Sequence, residues 1–181
     1  KLTGYKDEES LLVDVEKLDF SRPSTVTFLP YLSGERTPHN NPNAQGVFFG
    51  LGHNTDSAEL GRAVLEGIAF AFADGQQALI AAGTEIDTVS VIGGGSVSKL
   101  WGKILASVLN KPLSYRQGAE VGPAYGAARL AKLGTSTLSP SDVCLAGAIN
   151  HVIEPDQTMS SYYSKQHKKY QKLYQNLKDC F

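Results

Sequence analysis

The period of hydrophobic positions changes several times along this chain, and each change marks an element. In residues 1–24, Leu11, Leu12, Val15 and Leu18 recur at helical spacing and Pro23 ends the run, which predicts a peripheral helical segment. Thr25 to Leu32 (TVTFLPYL) reads as a strand interrupted by Pro30, and Gly46 to Leu51 (GVFFGL) as its antiparallel neighbour. A polar loop, SGERTPHNNPNAQG, separates the two. Loops of this length are usually functional or disordered. This one carries Glu35 beside Arg36 and then His39, which composition alone reads as a solvated turn with a surface ion pair.

A long helix follows. Asp56 is its N-cap, with Glu59 completing a capping box. Leu60, Val64, Leu65, Ile68, Phe72, Leu79 and Ile80 hold helical spacing to about Ala82, and Gly83 suits the residue after the C-cap. Asp74 lies opposite the apolar stripe and is expected to face solvent. The next stretch, VSVIGGGSVSKLW, runs from a short buried strand (Val89 to Ile92) through three glycines to a helix start at Ser96 and Ser98. That helix continues to about Asn110, and Pro112 to Tyr115 is a further strand. Gly118 to Gly122 is a loop with Glu120. Pro123 opens a helix to Leu133, closed by Gly134, with a face of Ala124, Ala127, Ala128 and Ala131 suited to packing or to lying near a ligand. Ser136 to Pro155 is loop-like. A last helix spans about Gln157 to Lys178, with Met159, Tyr162, Tyr163, Tyr170, Leu173, Tyr174 and Leu177 on one stripe and its lysines mostly off it. The fold class is α/β, with parallel pairing after the first hairpin.

Composition narrows the functional classes. The 181 residues suit one domain, 41% are hydrophobic and 19% charged, and the formal net charge is −1. With no long basic run, neither nucleic acid nor an anionic membrane is the expected partner, and no apolar run approaches the ~20 residues of a membrane span. Two cysteines make no disulfide framework, so a reduced, cytoplasmic setting is expected. The four histidines show no ligand spacing, so no metal site is expected. The chain begins on Lys1, and the sole methionine is Met159, which suggests a piece of something longer.

The strongest chemical signal is the glycine turn. Glycines let backbone approach a ligand closely, and exposed N–H groups with the positive end of a helix dipole favour an anion. By itself the turn reads equally as a plain flexible connection. It is not a dinucleotide fingerprint, because Ser98 stands where a third glycine is needed, and it is not a Walker A loop, lacking Gly-Lys-Ser/Thr.

The strand Gly46-Val47-Phe48-Phe49-Gly50-Leu51, then Glu59-Leu60-Gly61-Arg62-Ala63-Val64-Leu65-Glu66 and the glycine turn, resembles the C-terminal lobe of the FGGY-type carbohydrate kinases over nearly the whole chain. FLPYLSGERTPHNNP (Phe28 to Pro42) resembles the family's xylulose-phosphorylating branch more than its glycerol kinases. The resemblance implies a ribonuclease H-like fold of the actin and hexokinase superfamily, a mixed sheet with flanking helices. It implies one domain over 1–181, the C-terminal nucleotide-binding lobe, with the N-terminal lobe absent. It carries ATP and Mg²⁺ as cofactors and points to Gly93, Gly94, Gly95, Ser96 and Ser98 as the nucleotide-binding residues, with Gly94 and Ser98 foremost. Ser107 departs from an acidic residue often found after Ala106, a packing difference. The catalytic aspartate and most of the ketopentose pocket belong to the other lobe, so no catalytic residue is expected here and the lobe alone is expected to be inactive. The implied parent is a homodimer. Lobes of gluconate, ribulose or glycerol kinases, and a non-catalytic interaction module, are the alternatives.

Overall fold

The computed structural model describes residues 4–118 and 121–181; Glu120, expected in a loop, lies outside them. Asp7 caps α1 (Glu8–Val15), accepting from the Ser10 N–H. Strands β1 (Thr27–Pro30) and β2 (Gly46–Phe49) form the expected antiparallel hairpin, with Thr27 opposite Phe49 and Pro30 opposite Gly46. Asp56 starts α2 (Ser57–Ala81), its carboxylate accepting from the Glu59 N–H at 2.8 Å. Strand β3 (Val89–Val91), a 3₁₀ turn (Gly94–Val97) and α3 (Lys99–Leu109) follow. Then come β4 (Leu113–Arg116), α4 (Pro123–Thr135), the short α5 (Pro140–Val143), β5 (Ile149–Ile153) and α6 (Gln157–Leu177).

The strands form two sheets. The hairpin stands by itself, and β3-β4-β5 is mixed: β3 pairs parallel to β4, with Val89 beside Leu113, and β5 pairs antiparallel to it. β5 corrects the expectation of loop across 136–155. Its outward residues are exposed, so no burial pattern marks it in the sequence; hydrogen bonding to β4 creates it. β3 is half-buried rather than buried, and Ile92 beyond it is 62% exposed. α4 runs through Gly134 to Thr135 and buries none of its residues, and the small residues Ala124, Ala127, Ala128 and Ala131 are exposed.

The core sits between α2, α3, α6 and the hairpin, around Leu29, Ile104, Leu113, Tyr163 and Tyr170. Each fully buried Leu or Ile contributes about 1.5–3 kcal/mol. Close approach is built in at Gly67, where an added Cβ would stand 2.3 Å from the Phe28 carbonyl oxygen. Ser107 fits the packing expectation: it is buried, and its hydroxyl accepts from the Asp156 N–H at the entrance to α6.

Two buried polar clusters tie α6 to α2. In the first, Arg62 Nε meets Glu66 Oε1 at 2.7 Å, while the guanidinium donates to the carbonyls of Asp19 and Arg22 and lies over the Phe20 ring. Tyr163 donates to the same Glu66 oxygen. Burial pushes the Glu66 carboxyl up despite the opposing pull of Arg62 and Tyr163. The second cluster corrects the expectation that Asp74 faces solvent. Asp74 is 3% exposed, with Oδ1 held by His167 Nε2 at 2.8 Å and Gln171 Nε2 at 2.6 Å. The apolar stripe read from periodicity is not the buried face of α2: Phe72, Leu79 and Ile80 are about half exposed, and the helix instead buries Arg62, Glu66, Gly67, Phe70, Ala73 and Asp74, the face whose carboxylates meet α6. Among the described residues no helix is long and apolar enough to cross a membrane.

Candidate functional site

The glycine turn lies where β3 ends, at the carboxyl edge of the parallel β3–β4 pair, the usual position of ligand sites in such sheets. Gly93 has φ 86°, a left-handed conformation that glycine adopts freely, and this turns the chain out of the strand. Its carbonyl accepts from the Ser96 N–H at 3.0 Å. Gly94 and Gly95 are exposed, and a Cβ added at Gly93 or Gly94 would meet nothing within 4 Å. Backbone is therefore exposed at this turn.

The structure departs from expectation at the helix start. Gly94, Gly95, Ser96 and Val97 form a 3₁₀ turn ahead of α3, and of the two serines expected at the helix start Ser98 is the N-cap. The Ser98 hydroxyl accepts from the Trp101 N–H at 3.2 Å, so this side chain is committed to capping and its carbonyl to the Gly102 N–H. Gly93, Gly94, Gly95 and Ser96 form one turn, with Ser98 at its far end.

The structure adds residues that sequence reasoning passed over. Gly122, at the start of α4, lies beside the glycine turn: an added Cβ there would stand 3.6 Å from Gly93 Cα. Beside this contact a cleft of about 250 Å³ runs between the sheet and α4, lined by Ile92, Arg116, Gly118, Gly122, Tyr125 and Arg129 among others. Arg116 is anchored to the Gly147 carbonyl at 2.9 Å, and Arg129 lies over the Tyr125 ring at 4.1 Å. The signal available in the sequence was symmetry: each parallel strand is followed by glycines and then a helix. The two arginines give the cleft positive charge beside bare backbone, a combination suited to phosphate. Among the described residues no group of three or more His, Cys, Asp or Glu could hold a metal ion. The site therefore offers anion-binding backbone and cations, and no carboxylate cage.

The polar loop is not a solvated ion pair. The Glu35 carboxylate accepts from the His39 N–H at 2.8 Å, His39 stacks on Tyr174 at 3.7 Å between centroids, and Asn41 donates to the Tyr174 hydroxyl. α6 thus holds this loop from below, a role for the tyrosine stripe that helical spacing alone did not reveal.

Comparison with known proteins fits this geometry. Residues 4–134 match the model of the FGGY family of carbohydrate kinases, C-terminal domain. The chain is 43% identical over 178 residues to the xylulose kinase of Escherichia coli, covering 98% of this chain and 37% of that protein. Among solved structures, the kinase described as a xyloylose kinase from Brucella ovis superposes with a TM-score of 0.83 at 41% identity, over 96% of this chain and 36% of that one. Gluconate kinase from Lactobacillus acidophilus gives 0.77 at 28% identity, over 98% and 36%. The chain thus spans just over a third of the length of the relatives it matches. With the glycine turn, the capped α2 and the actin/hexokinase-like arrangement in place, the chain belongs to the FGGY family of carbohydrate kinases and carries its C-terminal lobe.

Proposed function

We propose that this chain is the nucleotide-binding lobe of a kinase that transfers phosphate from ATP to D-xylulose, and that all 181 residues form that one lobe. The observation that carries the reading is the bared turn at Gly93, Gly94 and Gly95, beside a cleft with Arg116 and Arg129. The backbone N–H groups of Gly94 and Gly95 hold nucleotide phosphate, Ser96 and Ser98 bound the turn, and the guanidinium groups balance charge. Phosphoryl transfer depends on positioning and charge stabilisation. ATP with Mg²⁺ supplies the transferred group and the charge that offsets its phosphates. The metal is carried chiefly by those phosphates, in keeping with the small demand Mg²⁺ makes on protein ligands. The sugar and the base that deprotonates it are supplied by the other lobe, so this lobe alone is inactive, and two copies of the whole enzyme form the parent assembly. The sugar assignment rests on the match to xylulose kinases, and the gluconate kinase neighbour keeps gluconate as the second reading.

The test is calorimetric titration of the purified chain with Mg-ATP, with NAD and D-xylulose as controls. Weak ATP binding without xylulose binding is expected. Gly94→Val is expected to weaken ATP by at least about tenfold, with stability changed by less than about 0.5 kcal/mol because the position is open. Turnover of D-xylulose by this chain alone, or ATP binding indifferent to Gly94→Val, would overturn the reading.

A further inference from the structure

A second concave site lies under the polar loop, between the C-terminal half of α2 and α6. It is a groove of about 420 Å³ walled by Pro38, His39, Gln77, Gln171 and Gln175, with Asp74 on its floor, and it shares no lining residue with the cleft beside the glycine turn. Two polar atoms at this site are enclosed and without a partner: Asp74 Oδ2 and His39 Nε2. Buried polar atoms are normally paired, so two orphans in one groove mark a place where a partner is wanted. Asp74 Oδ1 is already used by His167 and Gln171. Gln171 also reaches Gln77 Oε1 at 3.1 Å and so bridges across the carboxylate as a half-exposed cover. Asp74 and Gln171 both line the groove, so the carboxylate and the amide that bonds it form part of its wall.

The chemistry selects the ligand class. The groove presents one carboxylate, which already receives a proton donor from His167, together with three amides, an imidazole nitrogen and the apolar surfaces of Pro38, Ala78 and Ala81. The His39 ring face is taken by Tyr174, which removes a platform for a cation. Neutral hydroxyls can donate to a carboxylate and exchange bonds with amides while their C–H face meets proline and alanine. We propose that this groove binds a small polyhydroxylated molecule, a polyol or monosaccharide, with one hydroxyl donating to Asp74 Oδ2 and a neighbouring one bonded to His39 Nε2. The site is independent of the nucleotide reading.

Histidine ring NMR of the purified chain, titrated with xylitol and separately with ethylammonium chloride, tests it. Xylitol is expected to shift the His39 and His167 resonances saturably, with a dissociation constant of about 1 mM, while the exposed His53 and His151 stay fixed. Asp74→Asn is expected to weaken binding by at least about tenfold. Should that variant not fold, His39→Phe keeps the stack on Tyr174 while removing the nitrogen, and is expected to weaken xylitol as read at His167. Absence of a saturable shift in the folded chain, binding unchanged in either variant, or tighter binding of ethylammonium than of xylitol would each overturn the proposal.

Discussion

The two halves of this molecule are built to different standards. Around α2, α3, α6 and the hairpin, tyrosines, aliphatic side chains and two polar clusters interlock with little exposure. On the other side, β3, β5 and α4 bury none of their residues, and Leu130, Val97 and Ile92 stand exposed. The bared glycine turn belongs to the second half. The contrast teaches that the lobe keeps its stability on one side and its accessible backbone on the other. Regions with few buried contacts open most easily, and binding elements are commonly drawn from them.

The sharpest test of that contrast is Arg62→Ala. It leaves Glu66 buried without its cation and releases the carbonyls of Asp19 and Arg22, so a loss of about 3–5 kcal/mol is expected in denaturant unfolding. Retention of full stability would show that the packed half does not depend on its buried pair.

Alkaline unfolding should report the same half. Burial holds the hydroxyls of Tyr31, Tyr163 and Tyr170 well above the ordinary value of 10.0. Since the folded values lie above the unfolded one, their contribution is complete below about pH 10 and lost as pH rises past it. Three such groups predict a fall of about 4 kcal/mol per pH unit above about pH 10, at roughly 1.36 kcal/mol each. Unfolding midpoints measured against tyrosinate absorbance check this; a flat profile to pH 11 would contradict the tight packing of these rings.

Gly67→Ala probes a single contact. The new methyl collides with the Phe28 carbonyl, so a loss of about 1–3 kcal/mol is expected by thermal unfolding, although alanine favours helices elsewhere. The smallest effect belongs to the open half: Leu130→Ala on α4 should change stability by less than about 0.5 kcal/mol, because this side chain is 69% exposed. A larger change would mean that α4 is covered in solution.

Much of the fold was legible residue by residue. Asp56 and Gly83 bracket α2 through capping chemistry that acts locally, and the hairpin and the glycine turn announce themselves by alternation and by glycine. The candidate turn was legible for the same reason, although Ser98 serves as a cap. The clefts were not. Arg116 and Tyr125 meet only when β4 and α4 come together, and Asp74 was misplaced because its surroundings arrive from α6, more than ninety residues away.

The sequence by itself determined most of the elements, the capped start of α2 and the family, since caps, periods and glycine turns depend on neighbours within a few positions. Tertiary structure alone decided that β5 is a strand, that Asp74 and Glu66 are buried with partners, and that His39 rests on Tyr174. Those outcomes depend on which faces meet across the chain, and burial, unlike propensity, is a property of the pair rather than of either residue.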